Sequence, residues 1–495
     1  MAQKKRGFLK LLASTHMKQS LFIGALVLAF YFATEAAADS HLPEPCRGVD
    51  DSPQFLALRQ WYSAHDVQFP HLCVGKTKDK GLGIFATQAI EPKQTLFVSN
   101  YSLLFGIHNI QPPELSAAID TFKEEFKLND NEILVTYLIA SLRNGSSMWQ
   151  PWFDTLPKAK DLTNSFLWSN AELDALEAPS SSRETHWVVH YEIQQSIQRI
   201  ALVLNYLAGN HSSYRNAMNV SADELKWAHA IIFSRSLDMQ VMGKAARVAP
   251  PYFDFFNHKM GVATNYALND GNGSMVNGSI TVNLGVGIKA GDEIQFEYSS
   301  WSSRHNGMNL ALAGVVVPSC PTHSYELNAS ISATDYKYDV KMKALAAAGL
   351  TSRGALNISL QNPLSPNLIK HFCVLSADKN GGYSDQDIHD MAFGRFAFTP
   401  AQVKNVYSNL ITGCRNVLHA FHSAYSKDEK EFIQDFKLSR RKRLAAQMRM
   451  EDKTLMEAAI KAAKKATEKL MVRATRARFF FCKSFELMFC AGRGG

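Results

Sequence analysis

The chain has 495 residues, of which 46% are hydrophobic and 20% charged. That excludes an intrinsically disordered protein and suits two or three globular domains at roughly 150 residues each. Its formal net charge of +8 is concentrated, because residues 437–478 hold fourteen Lys and Arg against four acids (Glu451, Asp452, Glu457 and Glu468), leaving the remainder near neutral. A basic nucleic-acid surface is therefore not expected, whereas a basic C-terminal helix is.

At the N-terminus, Lys4, Lys5, Arg6, Lys10 and Lys18 precede an apolar run from Leu21 to Ala33, followed by Ala36, Ala37 and Ala38. A charged segment, a short apolar run and a small-residue site read as a secretory signal peptide. The run is shorter than the roughly 20 residues that span a bilayer comfortably. Residues 1–38 are thus expected to be a signal peptide, with an uncleaved membrane anchor or an organelle presequence as the alternatives. The expected location is the secretory pathway or a membrane, with a plastid as the other destination left open. Asn-x-Ser/Thr sequons, among them those beginning at Asn144, Asn210, Asn219, Asn272, Asn277, Asn328 and Asn357, agree with secretion. The seven cysteines (Cys46, Cys73, Cys320, Cys373, Cys414, Cys482 and Cys490) include no C-x-x-C pair and no metal-ligand spacing. Neither a zinc site nor a disulfide framework is evident, and the odd count precludes complete intramolecular pairing.

Residues 39–72 read as a polar, proline-containing linker leading into a short helix. From 73 to about 105, apolar and polar residues alternate between glycine turns, as in short strands. Helical periodicity takes over from about 106 to 230. Ser169-Asn170-Ala171-Glu172 and Ser221-Ala222-Asp223-Glu224 are capping boxes that mark helix starts there. The second predicts a helix through Leu225, Ala228, Ile231 and Ile232 that ends near Ser234-Arg235. Strands return over 248–300. Ile280, Val282 and Leu284 share one face, Lys289-Ala290-Gly291-Asp292 makes a turn, and Ile294, Phe296 and Tyr298 alternate with polar residues, which predicts a hairpin. Beyond about 320, helices dominate, with capping boxes at Thr399-Pro400-Ala401-Gln402 and Ser426-Lys427-Asp428-Glu429. The fold class expected is α+β: a β-rich module over 73–318 split by a helical insert, then an α-helical domain over 319–472 and a basic aromatic tail over 473–495.

Three local features carry chemistry. Gly81-Leu82-Gly83-Ile84-Phe85-Ala86 can bring a ligand close to backbone amides, because glycine has no Cβ; alone, it reads as a plain hairpin turn. Asp254-Phe255-Phe256-Asn257-His258 follows Pro250-Pro251 and places polar groups that need partners if buried; alone, it is a satisfied structural turn. Tyr298 closes a strand, where a tyrosine is ordinarily a core or rim residue.

In this order and with these gaps, the three together resemble the SET-domain methyltransferases. The resemblance is to the branch that contains the plant Rubisco lysine methyltransferase and the actin-histidine methyltransferase. Gly81 to Thr87 is similar to that branch's opening G-x-G-x-x-A-x, and Ile90-Glu91-Pro92-Lys93 to the turn after it. Met148-Trp149-Gln150-Pro151-Trp152, Leu156-Pro157 and Phe166-Leu167-Trp168-Ser169 are similar to its helical insert. Ser234-Arg235-Ser236 resembles its S-R pair, Asp254–His258 its D-x-x-N-H, Ala290–Tyr298 its G-E-x-x-x-x-Y, and Asn306 with Gly314 its later N-x(7)-G. Tyr425–Glu429, Leu438–Arg441, Arg449 and Glu451-Asp452-Lys453 are similar to its C-terminal substrate-binding domain.

What the resemblance implies is a protein N-methyltransferase that uses S-adenosylmethionine. Gly81, Leu82 and Gly83 would cradle the cofactor, Arg235 would pair its carboxylate, Asn257 and His258 would hold its amino group and adenine, and Asp254 would support the turn. Tyr298 would be the catalytic residue beside the transferring methyl. The aromatic residues Tyr252, Phe255, Phe256 and Tyr266 could line an apolar acceptor channel. Lysine-modifying members carry Tyr-Gly-Phe where this chain has Leu312-Ala313-Gly314-Val315, which leaves three acceptor readings open: lysine, histidine, or a catalytically inactive binding module. The partner implied is a protein substrate docked on the SET cleft and the helical domain.

The C-terminal helix has Leu444, Met448, Leu455, Ala459, Ala463 and Leu470 at helical spacing with Lys and Arg between them. It reads as a solvated charged face, with membrane-surface or partner contact as the alternative.

Overall fold

The computed structural model describes residues 42–145, 147–298, 304–352, 354–421 and 427–490, with backbone only for 427–430 and 471–490. The expected signal peptide over 1–38 and the Ser426 capping box lie outside them. Among the described residues no helix is long and apolar enough to cross a membrane. The chain divides into two compact units, each discontinuous in sequence.

The first unit comprises Met1–Pro157, Ile200–Val220 and Arg235–Tyr298. Helix α1 (Pro53–Ser63) leads into strands β1 (Leu72–Lys76), β2 (Leu82–Ala86), β3 (Thr95–Asn100) and β4 (Phe105–Gly106). Helices α2 (Pro113–Phe126) and α3 (Asp130–Asn144) follow, the latter opened by a capping box between Asn129 and Glu132. Of the helices that follow, α4 (Ser181–Asn210) contributes to this unit only from Ile200 onward, and α5 (Ala222–Arg235) only Arg235. Strands then return as β5 (Leu237–Val241), β6 (Lys244–Ala249), β7 (Asn257–His258), β8 (Asn265–Asn269), β9 (Ser279–Asn283) and β10 (Glu293–Phe296). They form three small sheets, ordered β1-β2-β10-β7, β3-β9-β8 and β4-β6-β5. Only the β10–β7 pair is parallel, with Gln295 opposite Asn257 and Phe296 opposite His258.

The hairpin predicted across Lys289–Asp292 does not form. β9 pairs with β3 and β8, whereas β10 pairs with β2 and β7. Alternation on both sides of a turn says which face of each strand is buried, not which strand lies beside it. The chain leaves β9 instead along an Ile90–Ile288 bridge, and Gly291, at φ +83°, turns it into a different sheet.

The second unit comprises Lys158–Arg199, Ser221–Ser234 and Ser299–Gly495, so residues of the helical insert are shared between the units. Its antiparallel strand pair β11 (Ser324–Glu326) and β12 (Asn357–Ser359) accompanies α6 (Tyr338–Ala347), α7 (Pro366–Leu375), α8 (Asp385–Phe393), α9 (Pro400–Ala420), α10 (Lys427–Gln434) and α11 (Arg440–Cys490). Leu455, Met456, Ala459 and Ala463 of α11 join Leu410 and Cys414 of α9 in its largest apolar cluster. The expected capping boxes at Ser169, Ser221 and Thr399 all form.

Two of the basic residues of α11 are structural rather than solvated. Arg441 donates to the carbonyls of Ala159, Leu162 and Leu167 and pairs with Glu172 at 3.0 Å. Arg449 donates to the Ala175 carbonyl and pairs with Glu177 at 3.3 Å. Asp452, wholly buried, accepts from Ser180 Oγ (2.9 Å), the Ser181 amide (3.1 Å) and Ser181 Oγ (2.7 Å), so it caps the start of α4 from a helix more than 200 residues away.

Candidate active site

All eight candidate site residues lie in the first unit. The turn between β1 and β2 is closed by the pairing of Lys76 with Leu82, and Gly81 sits in it at φ +90°, a conformation open to glycine at little cost. Gly83 is required for a different reason. A Cβ there would stand 2.8 Å from each of Asn257 Nδ2, Glu293 Oε1 and Thr77 Cγ2, so the bare backbone is what lets the Asn257 amide come in over the strand.

Asn257 uses both of its amide hydrogens within the fold. Its Nδ2 donates to the Leu82 carbonyl (2.9 Å) and to Glu293 Oε1 (2.8 Å). The amide orientation is thereby fixed, and Oδ1 is left as the acceptor. Glu293 also accepts from Gln295 Nε2 at 2.9 Å. His258 Nδ1 accepts from the Tyr298 amide at 3.0 Å, and burial pushes its pKa down to about 4, so the ring is neutral at ordinary pH. Lys80 Nζ donates to the His258 carbonyl at 3.2 Å. The Tyr298 hydroxyl donates to the Phe256 carbonyl, and burial raises the phenol well above its usual range, so it stays protonated. Backbone pairing, the Asn257 amide and the Tyr298 hydroxyl together bring the β1–β2 turn, the Asn257-His258 strand and Tyr298 into one place.

Asp254 supports that turn from beneath. Its side chain is 0% exposed, and Oδ2 accepts from Arg235 Nη1 at 2.7 Å and from Trp152 Nε1 at 3.1 Å. Burial pushes the carboxyl up, against the pull of Arg235. Arg235 Nη1 is committed to Asp254 and its Cζ lies 5.3 Å from the Phe255 ring centroid, while its buried Nε has no hydrogen-bond partner among the described residues. Between Pro251 and Asp254, Tyr252 takes φ +63°, a strained value for a tyrosine. Its ring is held between Phe97, Phe69 and Tyr62.

The aromatic residues expected along a channel are mostly core. Tyr252, Phe255 and Phe256 are buried to within 2% of completely, and only Tyr266 continues through Phe296 (5.5 Å) to Tyr298 (5.6 Å) as a chain of rings. Sequence reasoning also passed over two residues. Glu293 stood in the G-E-x-x-x-x-Y resemblance as a mere position, yet it fixes Asn257. Trp152 sat in the insert resemblance, yet it is a ligand of Asp254. The later motif residues belong to the second unit. There Asn306 clamps Val317 through both amide atoms (3.0 and 2.9 Å), and Thr163 Oγ1 donates to the Gly314 carbonyl at 2.7 Å. Ala313 closes a π-helical turn over Asn309–Ala313.

The cofactor implied by the resemblance has a zwitterionic amino-acid end, an ammonium beside a carboxylate, and a cationic sulfonium. The site's donor set fits it, because an orphan carbonyl oxygen (Asn257 Oδ1), a neutral imidazole, a neutral phenol and the Glu293 carboxylate can face a cation without a competing unpaired positive charge from Arg235.

Comparison with known proteins bears on the fold of the whole. Residues 332–456 match the family described as Rubisco LSMT substrate-binding. The actin-histidine N-methyltransferase of Gallus gallus is 20% identical over 427 residues, covering 84% of this chain and 69% of its own length. That of Homo sapiens is 19% identical over 422 residues, covering 83% of this chain and 68% of its own. Among solved structures, the SET domain of LSMT bound to lysine and AdoHcy superposes with a TM-score of 0.63 at 18% identity, covering 85% of this chain and 93% of that one. Rubisco LSMT bound to AdoMet gives 0.62 at 18%, with the same coverage. The chain thus has the α+β SET fold followed by a Rubisco-LSMT-type substrate-binding domain, and the resemblance drawn from the motifs holds.

Proposed function

We propose that this SET-fold chain is an S-adenosylmethionine-dependent protein methyltransferase whose acceptor is a lysine side chain. The observation that carries the reading is the convergence of the Gly81–Gly83 turn, Asn257-His258 and Tyr298, through the Asn257–Leu82 bond of 2.9 Å and the Tyr298–His258 bond of 3.0 Å. Relatives named protein methyltransferases, and neighbours solved with AdoMet, AdoHcy and lysine, support it. The substrate-binding match over residues 332–456 supports a protein as the partner.

S-adenosylmethionine, when bound, supplies an electrophilic methyl group on sulfur. The Gly81–Gly83 backbone would admit it closely, Asn257 Oδ1 would accept from its ammonium, and His258 and Tyr298 would bound the site without adding charge. Asp254 and Arg235 hold the turn that aims Asn257. Positioning of this kind accounts for most of the acceleration in a displacement whose nucleophile and leaving group are already present. A lysine acceptor must also lose a proton, which costs about 4.6 kcal/mol at pH 7 from a free pKa near 10.4.

Histidine is the second reading, favoured by the names of the relatives and by Ala313, whose methyl stands where lysine-modifying members carry a ring. Its imidazole is largely neutral at pH 7 and needs no such deprotonation.

The test is incubation of the full chain with methyl-labelled S-adenosylmethionine and cell extract, followed by mass spectrometry of the labelled residue. Methyl-lysine, lost with Tyr298→Phe, is the expected product; methyl-histidine selects the second reading. Absence of cofactor uptake by calorimetry ends both.

A further inference from the structure

Two features of the first unit lie outside the candidate site residues, and together they bear on the compartment in which the chain folds. The first is a disulfide between Cys46 and Cys73, unforeseen from the sequence, which ties the segment before α1 to β1. Both sulfurs are wholly buried against Phe85 and Leu42. Such bonds form and persist in secretory compartments, whereas cytosolic thiols are kept reduced. Among the described side chains the free cysteines, Cys320, Cys373 and Cys414, are all buried, which shields them from mispairing with it.

The second feature is the connection from β8 to β9, which carries two sequons in nine residues, Asn272-Gly273-Ser274 and Asn277-Gly278-Ser279. Both asparagines are exposed. Asn272 occupies the left-handed region at φ +57°, at the tip of a turn in which Asp270 accepts from the Asn272 amide (3.1 Å) and the Gly273 amide (3.0 Å). The backbone is thus held by Asp270 while neither side-chain amide is engaged within the described residues. Two other sequons differ, since Asn210 Nδ2 is bonded to the Tyr206 carbonyl at 2.8 Å and Asn144 is half-buried against Tyr214, whereas Asn219 and Asn328 are exposed as well. Beside Asn277, Val276 is 65% exposed, an apolar tip that an attached sugar would shade.

We propose that this tip is N-glycosylated, at Asn272 and Asn277, as the chain passes through the oxidising lumen in which Cys46 and Cys73 are joined. The amide nitrogen bonds to the anomeric carbon of an oligosaccharide carried on a lipid pyrophosphate. The sugar–phosphate bond breaks, the lipid pyrophosphate leaves, and the amide gives up one proton. The disulfide closes as two thiols lose two protons and pass two electrons to a thiol–disulfide oxidoreductase. The inference stands apart from the methyltransferase reading, and it obliges such an enzyme to receive its cofactor by import into the lumen.

The experiment is expression of the full chain, with its own N-terminal segment, in a eukaryotic cell. Peptide mapping follows, after enzymatic removal of N-glycans in heavy-oxygen water, which converts each glycosylated Asn to labelled Asp. Label at Asn272 or Asn277, loss of the gel shift in N272Q/N277Q, and resistance of Cys46 and Cys73 to alkylation until reduction support it. Unlabelled peptides at both positions overturn it, as does ready alkylation of both cysteines without reductant. Whether methyl transfer is found affects neither outcome.

Discussion

Replacing Asp254 tests whether the site depends on a buried charge pair. Its side chain is fully buried and Arg235 is only 15% exposed, with Nη1 2.7 Å from Oδ2. Asp254→Ala would leave the guanidinium without its counter-charge and the Trp152 indole N–H without its acceptor. Breaking one side of a buried pair costs about 3–5 kcal/mol, and stranding the indole donor adds roughly 1–3 kcal/mol if no water reaches it. Against a total stability of about 5–15 kcal/mol, the first unit should come close to unfolding. Arg235→Met removes the stranded charge, so D254A/R235M should lose clearly less than the two single losses added together. The assay is urea denaturation followed by circular dichroism, comparing midpoints and slopes for wild type, both single variants and the double. Additive losses, or a cost below about 1 kcal/mol for D254A, would refute the pair as the support of the turn.

Three further outcomes follow from neighbouring geometry. Gly83→Ala places a Cβ 2.8 Å from Asn257 Nδ2 and Glu293 Oε1; it should weaken S-adenosylmethionine binding at least about tenfold by calorimetry, roughly 1.4 kcal/mol, and unchanged affinity would contradict the cradle. Asp452→Ala removes the acceptor of Ser180, Ser181 and the Ser181 amide, and the carboxylate oxygen 3.2 Å from His323 Nε2; a loss of about 2–4 kcal/mol in the second unit is expected from the chemical-denaturation midpoint. Burial lowers His258 and His186 to about 4 and His229 to about 3. Because these folded pKa values lie below the unfolded 6.5, the stability they give is present above pH 6.5 and is lost as pH falls toward 4. The slope is about 1.4 kcal/mol per pH unit for a fully buried group such as His229. A denaturation midpoint that holds level from pH 7 to 4.5, or a slope no shallower in His229→Gln, would contradict it.

The capping boxes at Ser169, Ser221 and Thr399 were legible because each is a local rule: side chain and backbone partner sit three residues apart. So was the convergence on Tyr298, through the order of the motif pieces. What sequence could not reveal were long-range partners. The alternation in 280–298 marks strands over 279–283 and 293–296, which leave out Leu284 and Tyr298 and enter separate sheets, because a face pattern names no neighbour. Arg235 was legible as a cation, but the choice between a ligand carboxylate and Asp254 is made by a fold that brings together residues 19 apart. Cys46 and Cys73, 27 residues apart among seven scattered cysteines, carried no spacing signal at all.

The same partners explain how the site can favour a cationic ligand without being acidic overall. Arg235 and Asp254 cancel each other below the turn. Among the described residues Glu293 accepts only from amides, those of Asn257 and Gln295, so no cation screens its carboxylate directly. Were Arg235 unpaired, its charge would oppose an ammonium held at Asn257 Oδ1; were Asp254 absent, the turn would lose its anchor and the opposing charge would appear at once. The neutral imidazole and phenol complete a surface whose polarity is fixed before any ligand arrives, and such fixed dipoles need no reorganisation during reaction. Burial of Asp254 is therefore as much a condition for binding as any residue that would touch the ligand.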